Sequence, residues 1–320
     1  MLGNFVYPWS IDNHLRLSLE ELGHETHCQQ EGPPGTSRAV DAAAVVAAAR
    51  ARQPDMFLWL RTWAMSGDRS AMVAALRELG CPTASFTLDL FAPLHRGREV
   101  GLDPWWQTDV VFSADGGSDE FWRERGVRHC WVRPGVYHAE CLLVEPGDAD
   151  RCDVLFVGQA EGYHHEWPHR LELVRFLRDS YGDRFRLLPG SGPPVRGLAL
   201  NRAYAGARVV VGDTLCPGWV HRDCWSDRVP ETLGRGGFLV MPEVPGMAAR
   251  FRDGEHLVYH RPGELGALGS AIDRWLLPEH AGERERIRRA GHEHVKATAT
   301  YLDVAREILA GVAELGRART

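Results

Sequence analysis

Residues 225–240, WSDRVPETLGRGGFLV, hold a helix, its stop and the start of a buried strand. Ser226 is of a type that caps helices, and Pro230 falls early enough in the helix to be tolerated. Gly234, Gly236 and Gly237 end the helix abruptly, and the FLVM that follows has no polar face. The strand-like run ARVVVGD lies upstream at 207–213. A short helix pinned between two such strands belongs to a parallel sheet covered on both faces, with the positive end of the helix aimed at the crevice beyond the strand ends.

The same rhythm extends outward. Downstream the chain closes in helical patterns, LGALGSAIDRWLL, RERIRRAGHEHV and YLDVAREILAGVAEL. Upstream, CDVLFVG and FRLLPG alternate with HRLELVRFLRDSYG and LALNRAYAG. Earlier still, DMFLWL, TASFTLDLF, DVVFSAD and RHCWV alternate with amphipathic or alanine-rich helical stretches. The polar segment VEPGDADR, 144–151, interrupts the alternation and reads as a linker. The pattern predicts an α/β protein of two Rossmann-like, doubly wound domains, 1–145 and 151–302, which a chain of 320 residues is long enough to form. Few residues precede the first turn, so the opening strand is expected to be short.

Composition narrows the function. With 44% hydrophobic and 25% charged residues the chain reads as globular, and a net charge of −6 spread along it offers no track for nucleic acid or a membrane surface. Seven cysteines, an odd number without a CxxC pair, argue against a disulfide framework or a zinc ribbon and fit a reducing cytoplasm. No run is long enough for a membrane span, and a signal-peptide pattern is not seen. Lys296 is the only lysine, which excludes a P-loop and leaves arginines and backbone N–H groups to meet anions.

Several motifs are matched only in letters. His165-Glu166-x-x-His169 has zinc-protease spacing, but Pro168 bars a continuous helix between the histidines and reads instead as the first helical residue after a strand ending at Gly158. Asp148-Ala-Asp150 resembles a metal-binding DxD yet falls in the linker. The glycines of GSGPPVRG are wrongly spaced for a dinucleotide fingerprint, and GxSxG is absent. No metal is expected. Tryptophans such as Trp105, Trp106 and Trp122 read as core, with sugar stacking an alternative for Trp219 or Trp225.

The anion-binding candidates are the arginines at helix starts. Arg170 opens the helix after Gly158 and, with the free N–H groups of that turn, could meet an anion; a solvated arginine is the alternative. Arg228 and the first N–H groups of its helix suit a diphosphate, and Glu231 offers two acceptors for ribose hydroxyls. The same two residues also read as an i,i+3 surface ion pair.

From VLFVG through SDRVPETLGRGGFLVMPEVPGMAARFRDGEHLVYHRPGEL to RIRRAGHEHV, the C-terminal half resembles the glycosyl transferases group 1 domain, in particular its spore-maturation-protein-like branch. These are GT-B enzymes of the glycosyltransferase family 4 type. The N-terminal half is similar more loosely, through GNF.YPWS..NHL..LEELGHE and FTLDLF.

The resemblance implies two Rossmann-like domains facing a cleft. Domain 151–302 would bind the nucleotide of a UDP- or GDP-sugar, with Arg228 at the diphosphate, Glu231 at the ribose, Gly158 permitting close approach, and Arg170, Ser226 and Thr232 completing the donor side. Domain 1–145 would bind a small-molecule or glycan acceptor, with helix 303–320 crossing back onto it. No metal would be needed, because helix dipoles and basic side chains stabilise the leaving diphosphate. Asp223 and Glu231 have the seven-residue separation of the family's two acids, with aspartate in place of the first. Retention is usual in the family; were the reaction to invert, Asp89 or His14 is a candidate base, or either is structural. The arginine- and alanine-rich composition points to a high-GC bacterium, where such enzymes decorate natural products or envelope glycans. A GT-B nucleotide-sugar epimerase and a non-catalytic nucleotide-sugar-binding module are the rival readings.

Overall fold

Runs such as FLWL and VLFV are apolar at every position, so a strand made from them needs cover on both faces. They have it in the computed structural model of the chain, which describes residues 1–32, 40–60, 65–92, 94–160, 169–213 and 223–319. Two compact units are present, Met1–Arg133 with Tyr301–Thr320, and Pro134–Thr300.

The first unit carries six parallel strands: β1 (Leu2–Gly3), β2 (Gln29–Gln30), β3 (Phe57–Leu60), β4 (Thr83–Thr87), β5 (Val110–Ser113) and β6 (His129–Trp131), in the order β2-β1-β3-β4-β5-β6. Around them lie α1 (Ile11–Glu21), α2 (Ala42–Arg52), α3 (Arg69–Glu78), α4 (Asp119–Glu124) and the last helix of the chain, Tyr301–Arg319, which packs on α1. Ser10 caps α1, its hydroxyl accepting the Asn13 N–H at 3.2 Å. Trp105 and Trp106 meet edge to face at 4.6 Å within the core beside Trp122.

The second unit is a five-stranded parallel sheet: β7 (Cys152–Val157), β8 (Phe185–Leu188), β9 (Ala207–Val211), β10 (Leu239–Pro242) and β11 (Val258–His260), ordered β11-β10-β9-β7-β8. Its helices are α5 (His169–Tyr181), α6 (Gly197–Gly206), α7 (Arg228–Gly234), α8 (Pro245–Ala248), α9 (Leu265–Leu276) and α10 (Ala281–Thr298). α9 packs with α5, β9 and β10, and α7 packs with α10 and β10. Strands are added in opposite directions on either side of β7 and β9, so the carboxyl ends of these two flank a topological switch point, where open α/β sheets bind ligands. Asp148–Asp150 forms a short turn before β7, at the other end of that strand. No helix among the described residues is long and apolar enough to cross a membrane.

Candidate active site

β7 runs out of the core at Gly158, where φ is +152°. A Cβ built there would stand 2.8 Å from Nη2 and 2.9 Å from Cζ of Arg228, closer than real Cβ contacts come. The guanidinium therefore lies directly on the end of β7, in a space that only glycine leaves open. Arg228 is the first residue of α7, and its side chain keeps 22% of its surface exposed.

Asp213, just past the end of β9, ties this arginine to a second one. Its Oδ1 accepts from Arg228 Nη1 at 3.3 Å, and its Oδ2 from Arg170 Nε at 2.5 Å. Arg170, from the first turn of α5, is 2% exposed and Asp213 10%. Two guanidiniums thus share the Asp213 carboxylate at the strand ends, and Arg228 is the less buried of the two. The deeper Arg170–Asp213 pair is of the kind whose disruption is costly, because both charges are taken out of water. Arg170 and Asp213 also line a pocket at the ends of β10 and β11, together with His260 and Glu264.

The start of α7 differs from expectation. The Ser226 hydroxyl accepts the Arg228 N–H at 3.2 Å, the Ser226 carbonyl accepts the Val229 N–H at 3.1 Å, and Pro230 has no N–H. Glu231 N–H goes to the Asp227 carbonyl at 3.0 Å. The cap position falls on Asp227, whose side chain makes no capping bond, and not on the expected Ser226, which takes the first amides in a local turn; those amides are committed there, so the charge available to an anion comes from the guanidinium. Glu231 pairs with Arg235 one turn on, Nε to Oε2 at 2.6 Å, and not with Arg228, which the Gly158–Asp213 contacts draw away. Burial pushes the Glu231 carboxyl up, and the Arg235 charge opposes that. Thr232, 2% exposed, is buried on α7 and its methyl packs against Gly237.

Asp223 is half-buried. His165, Glu166, Pro168 and Trp219 lie outside the described residues, and His169 opens α5 with Glu172 at 3.4 Å. In the first unit, Asp89 follows β4 with 59% of its side chain exposed and Arg96 at 3.5 Å. His14 is 5% exposed, its ring 5.7 Å from that of Tyr301 on the last helix.

Residues 146–310 match the family described as glycosyl transferase-like. The chain belongs to that family. No curated protein matches this glycosyltransferase, but solved structures resemble it over nearly its whole length. A glycosyltransferase from Rickettsia africae ESF-5 superposes with a TM-score of 0.63 at 8% identity, covering 98% of this chain and 97% of its own. Sucrose-phosphate synthase from Thermosynechococcus elongatus gives 0.62 at 13% identity, covering 96% and 93%. Anabaena HepE, solved with UDP and in another crystal with UDP-glucose, gives 0.62 at 12% identity for the UDP complex, covering 98% of both chains. The fold of this glycosyltransferase is GT-B.

Sequence reasoning missed two members of the cluster. Asp213 ends a buried strand, a position at which an acidic residue is itself a signal in an open α/β sheet. Arg235 sits inside GRGG, where the glycines read as a helix stop and draw attention from the charge between them.

Proposed function

We propose that the protein transfers a sugar from a UDP- or GDP-sugar to a small-molecule or glycan acceptor, without a metal and with retention, as an enzyme of the spore-maturation-protein-like branch. The observation that carries this reading is the Gly158–Arg228 approach, a half-buried guanidinium laid on a strand end at the switch point beside Asp213 and Arg170. As transfer proceeds, the bond from the sugar C1 to the β-phosphate oxygen breaks, the acceptor oxygen bonds to C1, and the acceptor proton leaves with the departing diphosphate or a base. Negative charge grows on that diphosphate, and a preorganised arginine stabilises it without reorganisation.

The UDP and UDP-glucose complexes of HepE support a nucleotide-sugar donor. Metal independence is supported by the place of Asp148 and Asp150, which stand before β7 and so about 20 Å, the length of that strand, from its donor-side end. Of the two candidate bases in the first unit, Asp89 is the one open to solvent; His14 reads as packing under the last helix.

Labelled UDP- and GDP-sugars with an acceptor panel, with and without EDTA, test the reading. Nucleotide release with sugar transferred is the expected result in both conditions. Sugar isomerised without nucleotide release would identify an epimerase instead, and binding without turnover a sensing module.

A further inference from the structure

The assignment of Glu231 to the donor ribose, on which this inference rests, gives a second arginine a task. Arg235 is 2% exposed, and its guanidinium reaches three elements. Nε donates to Glu231 Oε2 at 2.6 Å, Nη1 to Asn201 Oδ1 on α6 at 2.6 Å, and Nη2 to Glu140 in the segment before β7. Asn201 is fixed in turn, its Nδ2 donating to the carbonyls of Glu140 at 2.8 Å and Leu142 at 3.0 Å. Only one carboxylate oxygen of Glu231 is engaged. Oε1 accepts no hydrogen bond among the described residues, and 21% of the side chain remains exposed.

An i,i+4 ion pair on an open helix face leaves both side chains free to rotate away. Here the cation is clamped on its other edges by groups that cannot follow it, so the carboxylate it holds is clamped as well. A planar fork with donors on three sides does this where an ammonium, a single point charge, would not. We propose that Arg235 is a positioning residue for nucleotide recognition: it holds Glu231 through Oε2 and leaves Oε1 ready to accept from the ribose hydroxyls of a nucleoside diphosphate, without itself touching the substrate.

The test compares whichever of UDP or GDP the wild-type protein binds with its 2′-deoxy counterpart, by calorimetry on the full chain. Wild type should prefer the ribonucleotide by about tenfold or more, the scale of a hydrogen bond to a charged group, and Glu231→Gln should lose most of that preference. Arg235→Met should lose it too, by at least fivefold, while binding the deoxynucleotide nearly as wild type does. Arg235→Lys keeps the cation and serves should the Met variant not fold; it should lose the preference at least threefold. Wild-type preference in the Met or the Lys variant, with Glu231→Gln impaired, would overturn the positioning role and leave the ribose assignment standing. An undiminished preference in Glu231→Gln would overturn the ribose assignment and the proposal with it.

Discussion

Arg228 lies against the end of β7 because residue 158 has no side chain: a methyl there would stand 2.8 Å from Nη2. Gly158→Ala should therefore push the guanidinium out of place and weaken nucleoside diphosphate binding about tenfold, while the fold loses on the order of 1 kcal/mol to the positive φ. Calorimetric titration beside a denaturant curve would check both. Arg228→Ala removes the cation itself, and at roughly 1.5–3 kcal/mol for a hydrogen bond to a charged group it should weaken the diphosphate about 10- to 100-fold. Nucleoside binding, which lacks the phosphates, should hardly change. Asp213→Asn leaves Arg170 buried beside an uncharged amide and should cost stability on the order of 3–5 kcal/mol, the range seen when a buried pair is broken. An unchanged urea midpoint for that variant would show that Asp213 is not the counter-charge of this cluster.

Elements were more legible than partners. The strands of both sheets could be read because parallel strands buried on two faces carry largely apolar runs, and α7 because its glycine stop stands directly before such a run. Gly158, Arg170 and Arg228 stood out by position, at a strand end and at helix starts. Their pairing did not, since Asp213 is 43 residues from Arg170 and Glu140 is 95 from Arg235, and only the folded sheet brings them together. For the same reason the alternative reading of an Arg228–Glu231 surface pair gave way to Glu231–Arg235. β6 supplies a test of a buried titratable group. His129 takes a hydrogen bond at 2.8 Å with the Ser113 hydroxyl and stacks on Trp122 at 4.3 Å, and burial pulls its pKa down from 6.5 to about 4. A histidine with a depressed folded pKa contributes stability above pH 6.5 that is lost as pH falls toward 4, because the unfolded chain takes up the proton first. Asp12 works in the opposite sense: burial raises its carboxyl to about 6, so the fold is relieved of a cost as pH falls from 6 toward 3.8. Comparison with His129→Gln separates the two. The wild-type protein should lose stability relative to this variant between pH 7 and pH 5, and parallel urea midpoints across that range would contradict the assignment.

Over the whole molecule the family match, residues 146–310, takes in nearly all of the second unit, where the arginine cluster lies, together with the start of the last helix. The first unit is joined to the solved structures through shared architecture at 8–13% identity, which fixes its fold. A ligand that binds only the folded second unit should raise its apparent stability, by about 2.7 kcal/mol at a hundredfold excess over Kd. UDP or GDP should do so equally with and without EDTA; a shift that needs a divalent cation would contradict metal-free binding. What anchors the donor is decided by a crystal structure of the protein with UDP or GDP. The β-phosphate should lie about 3 Å from the Arg228 guanidinium over Gly158, with the ribose at Glu231. A diphosphate bound away from Arg228 and Gly158 would contradict it.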